Sequence, residues 1–392
     1  MKKIVFQLIY LIMRFFGSRK IKPATLYFES FFGKQFSDNP KSILDEILKQ
    51  SDQQNPKRIF IGVSGSLVPA MKKKYPEAII LRRFSLKWLY WVSVSEFWVT
   101  NVRLPLWFAK NKGTTYVQTW HGTPLKKIGL DIEEVNIHDQ NTKTYHEDFK
   151  KETERWDVLV CPNPFAKKIF RQAFDYKGKT LDIGYPRNDK LIHANTASSI
   201  LKLKDQLGLP VDHKIVLYAP TWRDDLVNED GSHTFDLPFQ LSSFFETAGM
   251  KTTLILRPHY LVKDAIEITG YEKNVRILSE VDISDLYLVS DCLVTDYSSV
   301  FFDYSLLNRP ILFFPYDLSK YRDELRGFYL DYYNDLPGEL FQTEETFLSG
   351  LNSTLESIDS EIHFPAQDSF YRQYSVWEKG TASENVAKFL LN

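Results

Sequence analysis

Neither of the glycine-rich loops that cradle nucleotide phosphates occurs in this chain. There is no Walker-type loop, and no Gly-x-Gly-x-x-Gly follows a strand-like run. That argues against a nucleotide triphosphatase and against a nicotinamide dehydrogenase. Histidines never recur at His-x-x-His or His-Glu-x-x-His spacing, and Asp-x-Asp, the usual handle for a nucleotide-bound divalent ion, is missing. No metal is demanded, and no cofactor is expected. Cysteine is scarce: Cys161 and Cys292 each sit in an apolar, strand-like run, at a spacing that matches no metal site or redox pair. Buried, reduced thiols are expected. Net charge is also small, formally -1, so there is no nucleic-acid signature and no nucleic-acid partner is expected. A long hydrophobic run is absent too. The uncharged stretch Ile4 to Met13 is ten residues, whereas a membrane-spanning helix needs about twenty. No small-residue cleavage site follows it, so it does not read as a signal peptide.

What is present is a globular composition, 43% hydrophobic and 25% charged, over 392 residues, a length that suits two domains. Short apolar runs alternate with helical patterns in both halves. In the first half the strand-like runs are Arg58–Ile61, Ala78–Leu81, Glu96–Thr100, Thr115–Trp120 and Asp157–Cys161. In the second they are Ile215–Tyr218, Thr252–Leu256, Val275–Leu278, Cys292–Thr295 and Pro310–Phe314. This alternation predicts parallel sheets covered on both faces, arranged as two doubly wound α/β domains facing across a cleft. The boundary is expected in the turn-rich Gly184–Thr196, and Tyr371–Leu391 reads as one helix crossing back to the first domain. The N-terminal segment, residues 1–20, is apolar and aromatic, with Lys2, Lys3, Arg14, Arg19, Lys20 and Lys22 around it. It suits either an interfacial helix on an anionic leaflet or a helix docked on the core.

Chemistry concentrates where strands end. Tyr116–Trp120 stops at His121-Gly122, and Thr123-Pro124 then offers an N-cap and a first helical residue. A helix is therefore expected to start there, with an imidazole beside it able to move a proton near neutral pH. In the second half, Thr221 and Arg223 follow a strand-ending Pro220, and Arg257 and His259 flank Pro258. Asp296 closes a strand before Ser298-Ser299, which are expected to cap a helix over Val300–Leu307 and to cradle an anion. Arg326 offers a further cation near a phosphate, and Arg187 lies in the turn expected at the domain junction.

Together these motifs resemble the CDP-glycerol glycerophosphotransferases of teichoic acid synthesis. The matching pieces are Glu29-Ser-Phe-Phe-Gly33, Gln118–Lys126, Gly184–Arg187, Ala219–Arg223, Arg257-Pro-His259, Thr295–Ser299 and Arg326–Tyr329. The resemblance implies a GT-B-like fold, with an acceptor-side domain over 21–190 and a domain over 191–392 that holds a CDP-alcohol. It implies catalytic roles for His121, as base, and His259, on the donor phosphate. Donor and phosphate contacts would then come from Thr221, Arg223, Arg257, Asp296, Ser298, Ser299 and Arg326, with Gly122, Thr123 and Arg187 at the cleft or junction. The implied partners are CDP-glycerol or CDP-ribitol, a lipid-diphosphate-linked saccharide or growing polymer, and an anionic membrane surface. The protein is then expected peripherally on the cytoplasmic face of the membrane. A nucleotide-sugar glycosyltransferase and a non-catalytic membrane-face module are the competing readings.

Overall fold

Among the described residues, thirteen short strands, most of them buried, carry the two sheets of the computed structural model. It describes residues 2–50, 57–135, 141–221, 237–257, 266–318, 327–359 and 365–392. The chain divides into two compact units. The first comprises Met1–Gly122, Ile128–Asp189 and Trp377–Asn392, and the second Thr123–Lys127 and Lys190–Val376.

In the first unit the strands are β1 Lys22–Glu29, β2 Arg58–Val63, β3 Ile79–Arg82, β4 Ser95–Thr100, β5 Thr115–Gln118, β6 Val158–Cys161 and β7 Lys179–Asp182. They form one seven-stranded parallel sheet in the order β3-β2-β1-β4-β5-β6-β7. Winding reverses between β1 and β4, and this leaves a crevice at the carboxyl ends of those strands. One strand of the switch-point pair, β1, is not among the strands expected from the sequence. Its apolar core is only Leu26-Tyr27-Phe28, and Pro23 and a left-handed Ala24 (φ 59°) interrupt the approach to it. The register against β4 shifts at that point.

The second unit holds β8 Lys214–Ala219, β9 Thr252–Leu256, β10 Val275–Ile277, β11 Cys292–Thr295, β12 Ile311–Phe313 and β13 Glu339–Leu340. Their parallel order is β10-β9-β8-β11-β12-β13, so the reversal falls between β8 and β11. Phe244, Leu254, Val294 and Phe347 pack in the core of this unit. Both cysteines are buried and unpaired. Burial pushes the Cys161 thiol up to about 12 and raises the Cys292 thiol further.

Two expectations about helices are corrected. The C-terminal pattern is not one helix but two, Pro365–Tyr374 and Ala382–Leu391, broken before a left-handed Gly380 (φ 73°). The last helix packs Val386, Ala387 and Leu390 into the core of the first unit beside Ile43, Leu44 and Ile47. Nor does a helix start at Thr123-Pro124. Leu125–Lys127 instead runs extended against Gly327–Tyr329, with the Lys127 N–H on Gly327 O and the Tyr329 N–H on Leu125 O, both at 2.8 Å. Tertiary pairing overrides the local capping pattern there.

The Gly184–Asp189 turn has a structural task in the first unit. Glu378 accepts hydrogen bonds from the Tyr185 N–H and from Asn188 Nδ2, at 3.0 and 2.9 Å. A Cβ on Gly184 (φ 85°) would meet Glu378 Oε2 at 2.5 Å, so only glycine fits. Asp189 receives the N–H groups of Ala382 and Ser383 at 3.0 and 2.7 Å, capping the last helix from a distant part of the chain. Replacing Asp189 with Ala leaves both donors without their carboxylate. It should destabilise the first unit by about 1–3 kcal/mol, read as a lower urea midpoint. An unchanged midpoint would show that the cap carries no stability.

Candidate active site

At the carboxyl edge of the first sheet a short polar network aims one imidazole. After β5 the chain reverses at Trp120, which adopts a left-handed φ of 54°. Gln118 Oε1 accepts the Trp120 N–H at 2.9 Å, and Asn39 Nδ2 donates to Trp120 O at 3.1 Å. The Trp120 ring stacks on His121 with centroids 4.6 Å apart, and packs against Phe174 on another side. His121 Nδ1 lies 2.6 Å from the backbone carbonyl of Asn101, just past the end of β4. A carbonyl only accepts, so Nδ1 carries the proton and Nε2 presents its lone pair.

Asn101 is itself held in place. Its Nδ2 donates to Asp38 Oδ2 at 2.7 Å, and its Oδ1 accepts the Phe31 N–H at 3.0 Å. Arg187 Nη1 bridges Asp38 Oδ1 and the His121 carbonyl oxygen, both at 2.8 Å. The structure thus places Arg187 among the groups that hold the His121 turn, with Gly122 and Thr123 buried beside it. The imidazole is accessible to solvent but densely surrounded by protein. This desolvation lowers its pKa below the ordinary 6.5, against the upward pull of the Asn101 bond and Asp38, while Arg187 lowers it further. At neutral pH His121 is therefore an uncharged base. It lines a cavity of about 690 Å³ together with Phe32, Arg103, Leu106, Trp107 and Trp120.

The switch point of the second sheet is organised around Asp296. Fully buried, its Oδ1 accepts the N–H groups of Thr221 and Tyr297 at 2.7 and 2.6 Å. It therefore ties the end of β8 to the end of β11, a link that Thr295 Oγ1 reinforces with a bond to Ala219 O at 2.8 Å. Arg257 is similarly occupied: Nη1 donates to Leu278 O and Val281 O at 3.2 and 2.5 Å, and burial lowers its pKa. Ser298 and Ser299 are half-buried at the start of the helix Val300–Tyr304. Ser299 precedes this helix without a side-chain capping bond, so the expected hydroxyl cap is not formed by that residue. The helix is also shorter than expected, passing into a 3-10 turn at Ser305–Leu307. His259, Arg223 and Arg326 lie outside the described residues.

Sequence reasoning passed over Asp38, Asn39, Asn101 and Arg103. The available signal was the polar Asn101 directly after an apolar strand, and Asp38-Asn39 ahead of Pro40 at a helix start.

Two parallel α/β units, one with an aimed imidazole at its switch point and the other with hydroxyls there, define a group transferase of the GT-B-like class. Residues 11–392 match the family described as CDP-Glycerol:Poly(glycerophosphate) glycerophosphotransferase. The chain is 42% identical over 372 residues to the teichoic acid glycerol-phosphate transferase of Staphylococcus aureus (strain NCTC 8325 / PS 47), covering 93% of this chain and 92% of that protein. It is 42% identical over 384 residues to the teichoic acid poly(glycerol phosphate) polymerase of Bacillus spizizenii (strain ATCC 23059 / NRRL B-14472 / W23), covering 97% and 95%. Its fold matches the wall teichoic acid polymerase TagF with a TM-score of 0.87 at 35% identity, over 99% of this chain and 94% of that one. The chain belongs to the CDP-glycerol:poly(glycerophosphate) glycerophosphotransferase family, and it is a transferase of glycerol phosphate.

The desolvation of His121 can be checked directly. In an NMR titration its ring should titrate below 6.5. Asp38→Asn should move it lower still, because the substitution removes the anion that favours imidazolium. A value above 6.5 in the unaltered protein would contradict this account.

Proposed function

We propose that the protein transfers glycerol phosphate from CDP-glycerol to the terminal hydroxyl of a teichoic acid chain, releasing CMP, with His121 as the base. The acceptor oxygen attacks the β-phosphorus of the donor. The new O–P bond forms as the bond to CMP breaks, the hydroxyl proton passes to His121 Nε2, and the electron pair leaves with CMP. The observation that carries this reading is the 2.6 Å contact between His121 Nδ1 and Asn101 O, which leaves Nε2 bare. An imidazole kept neutral by desolvation is matched to proton abstraction near pH 7.

Donor contacts are assigned to Thr221, Ser298 and Ser299 at the second switch point, with His259, Arg223 and Arg326 added by family resemblance. Positioning and charge stabilisation supply most of the catalysis in phosphoryl transfer. Asp296 and Arg257 act one step back in this scheme. Asp296 holds the Thr221 and Tyr297 backbone, and Arg257 anchors the carbonyls of Leu278 and Val281.

The test incubates the protein with CDP-glycerol, or with CDP-ribitol, and a chain-ended acceptor, and follows CMP and product mass. His121→Ala should lower transfer by about 10²–10⁴-fold while the dissociation constant for CDP-glycerol changes little. Near-normal turnover in that variant would remove His121 as base.

The acceptor in this proposal is membrane-borne. Among the described residues no helix is long and apolar enough to cross a membrane. The helix Lys2–Gly17 docks through Met13, the Phe6–Trp107 stack and the Phe16–Tyr90 edge contact. It nonetheless exposes Ile4, Val5, Leu8, Leu11 and Phe15, and Phe84 and Leu86 are exposed as well. Arg14, Arg19, Lys20, Lys22 and Lys87 supply positive charge in the same segments. An apolar row with basic neighbours suits an anionic leaflet. Leu8→Asp with Leu11→Asp should cut partitioning to phosphatidylglycerol vesicles by at least about tenfold, with turnover of a soluble acceptor preserved. Unchanged partitioning would exclude this face as the membrane contact.

A further inference from the structure

The cavity beside His121 holds a cation, Arg103, that stacks on aromatic rings. Arg103 follows Asn101 by two residues, so the segment that buttresses the base also carries this guanidinium to the cavity wall. Its guanidinium carbon lies 4.0 Å from the Phe149 ring centroid and 5.4 Å from that of Tyr145. Among the described residues Arg103 makes no hydrogen bond and no ion pair.

Two carboxylates lie nearby, and the better placed one is already engaged. Glu152 binds Arg155 Nη2 at 2.7 Å and accepts the Leu104 N–H at 2.9 Å, Trp156 Nε1 at 3.1 Å and the Tyr116 hydroxyl at 3.3 Å. Asp148 lines the same cavity and contributes to Arg103 only through space. Desolvating an arginine without hydrogen-bonding it is costly. Its N–H donors therefore remain available on the wall that His121 shares. The remaining lining is largely apolar: Phe32, Val102, Leu104, Pro105, Leu106 and Trp107. One guanidinium in such a lining is suited to a single phosphate on a flexible alcohol chain.

We infer that this cavity is the acceptor subsite, and that Arg103 binds the phosphodiester next to the terminal hydroxyl of the acceptor chain. The inference rests on His121 being the base. The terminal hydroxyl sits at His121 Nε2, and the phosphate one glycerol unit back is held by Arg103. Arg103 thereby selects acceptors that already end in glycerol phosphate, and fixes how far the hydroxyl reaches.

The test uses the full-length protein, CDP-glycerol and two soluble acceptors. One is a short, lipid-free glycerol phosphate oligomer, and the other a neutral glycoside with a primary hydroxyl and no phosphate. Arg103→Gln should raise the KM for the oligomer about ten- to a hundredfold, leaving the KM for CDP-glycerol unchanged and use of the neutral glycoside unaltered. Arg103→Lys, which keeps the charge but loses the fork, should recover part of the preference. Equal losses with both acceptors, or a raised KM for CDP-glycerol, would overturn the assignment. A third acceptor, the same oligomer carried on a lipid diphosphate, would overturn it as well if the loss appeared there alone, since the phosphate read would then be that of the carrier.

Calorimetry on His121→Ala, with and without Arg103→Gln, measures oligomer binding without turnover. Arg103-dependent binding, together with no transfer to either acceptor by the unaltered protein, would leave the subsite standing and remove the proposed reaction. Binding that is independent of Arg103 in folded variants, as judged by their thermal midpoints, removes the subsite itself.

Discussion

The pairing of β1 with β4 at the middle of the first sheet determines where the chemistry of that unit can sit. Both strands are parallel and buried, so their side chains are committed to packing, and the open positions lie where the strands end. Winding reverses at this pair, which separates the loops on either side and leaves their backbone groups facing one crevice. Asn101 emerges from β4, and the segment with Phe31 and Asp38 follows β1. The His121 turn leaves neighbouring β5. Hydrogen bonds among these three loops then fix the tautomer of one imidazole. The second sheet repeats the logic at β8 and β11, where Asp296 joins the two strand ends.

Several buried carboxylates of this protein hold loops in place. Asp38, Glu152, Asp189 and Asp296 are all buried or nearly so, and each accepts hydrogen bonds from backbone or side-chain donors. Glu29, at the end of β1, lies fully buried beneath Arg83 and accepts the Tyr27 hydroxyl; burial raises its pKa despite the arginine. A buried carboxylate is costly unless donors surround it, so each of these residues marks a place where loops converge. In the proposed reaction, substrate contact falls to a neutral histidine, hydroxyls and a stacked arginine.

Several features could be read from the sequence and others could not, for identifiable reasons. Strands β2 to β6 and β8 to β12 follow apolar runs with turn residues at both ends, and these survive because a parallel sheet buries both faces of a strand. β1 is hidden by Pro23 and Ala24, although it lies in the interior of the sheet. The helix expected at Thr123-Pro124 failed because capping is worth only about 1 kcal/mol, less than the extended pairing of Leu125–Lys127 with Gly327–Tyr329. His121 stood out because an imidazole at a strand end is chemically conspicuous. Asn101 does not, because its contact with the imidazole is made by a backbone carbonyl, which any residue carries.

By itself the sequence determined the two α/β halves and the family, since these depend on composition and on the spacing of motifs along the chain. Tertiary structure alone decided which groups act on which. It set Asp296 and Arg257 to holding backbone, made Asp189 a distant helix cap, and brought Arg103 to the wall of the His121 cavity. Such assignments depend on contacts between loops far apart in the chain. Their energies come from burial and hydrogen-bond geometry, which no local pattern encodes.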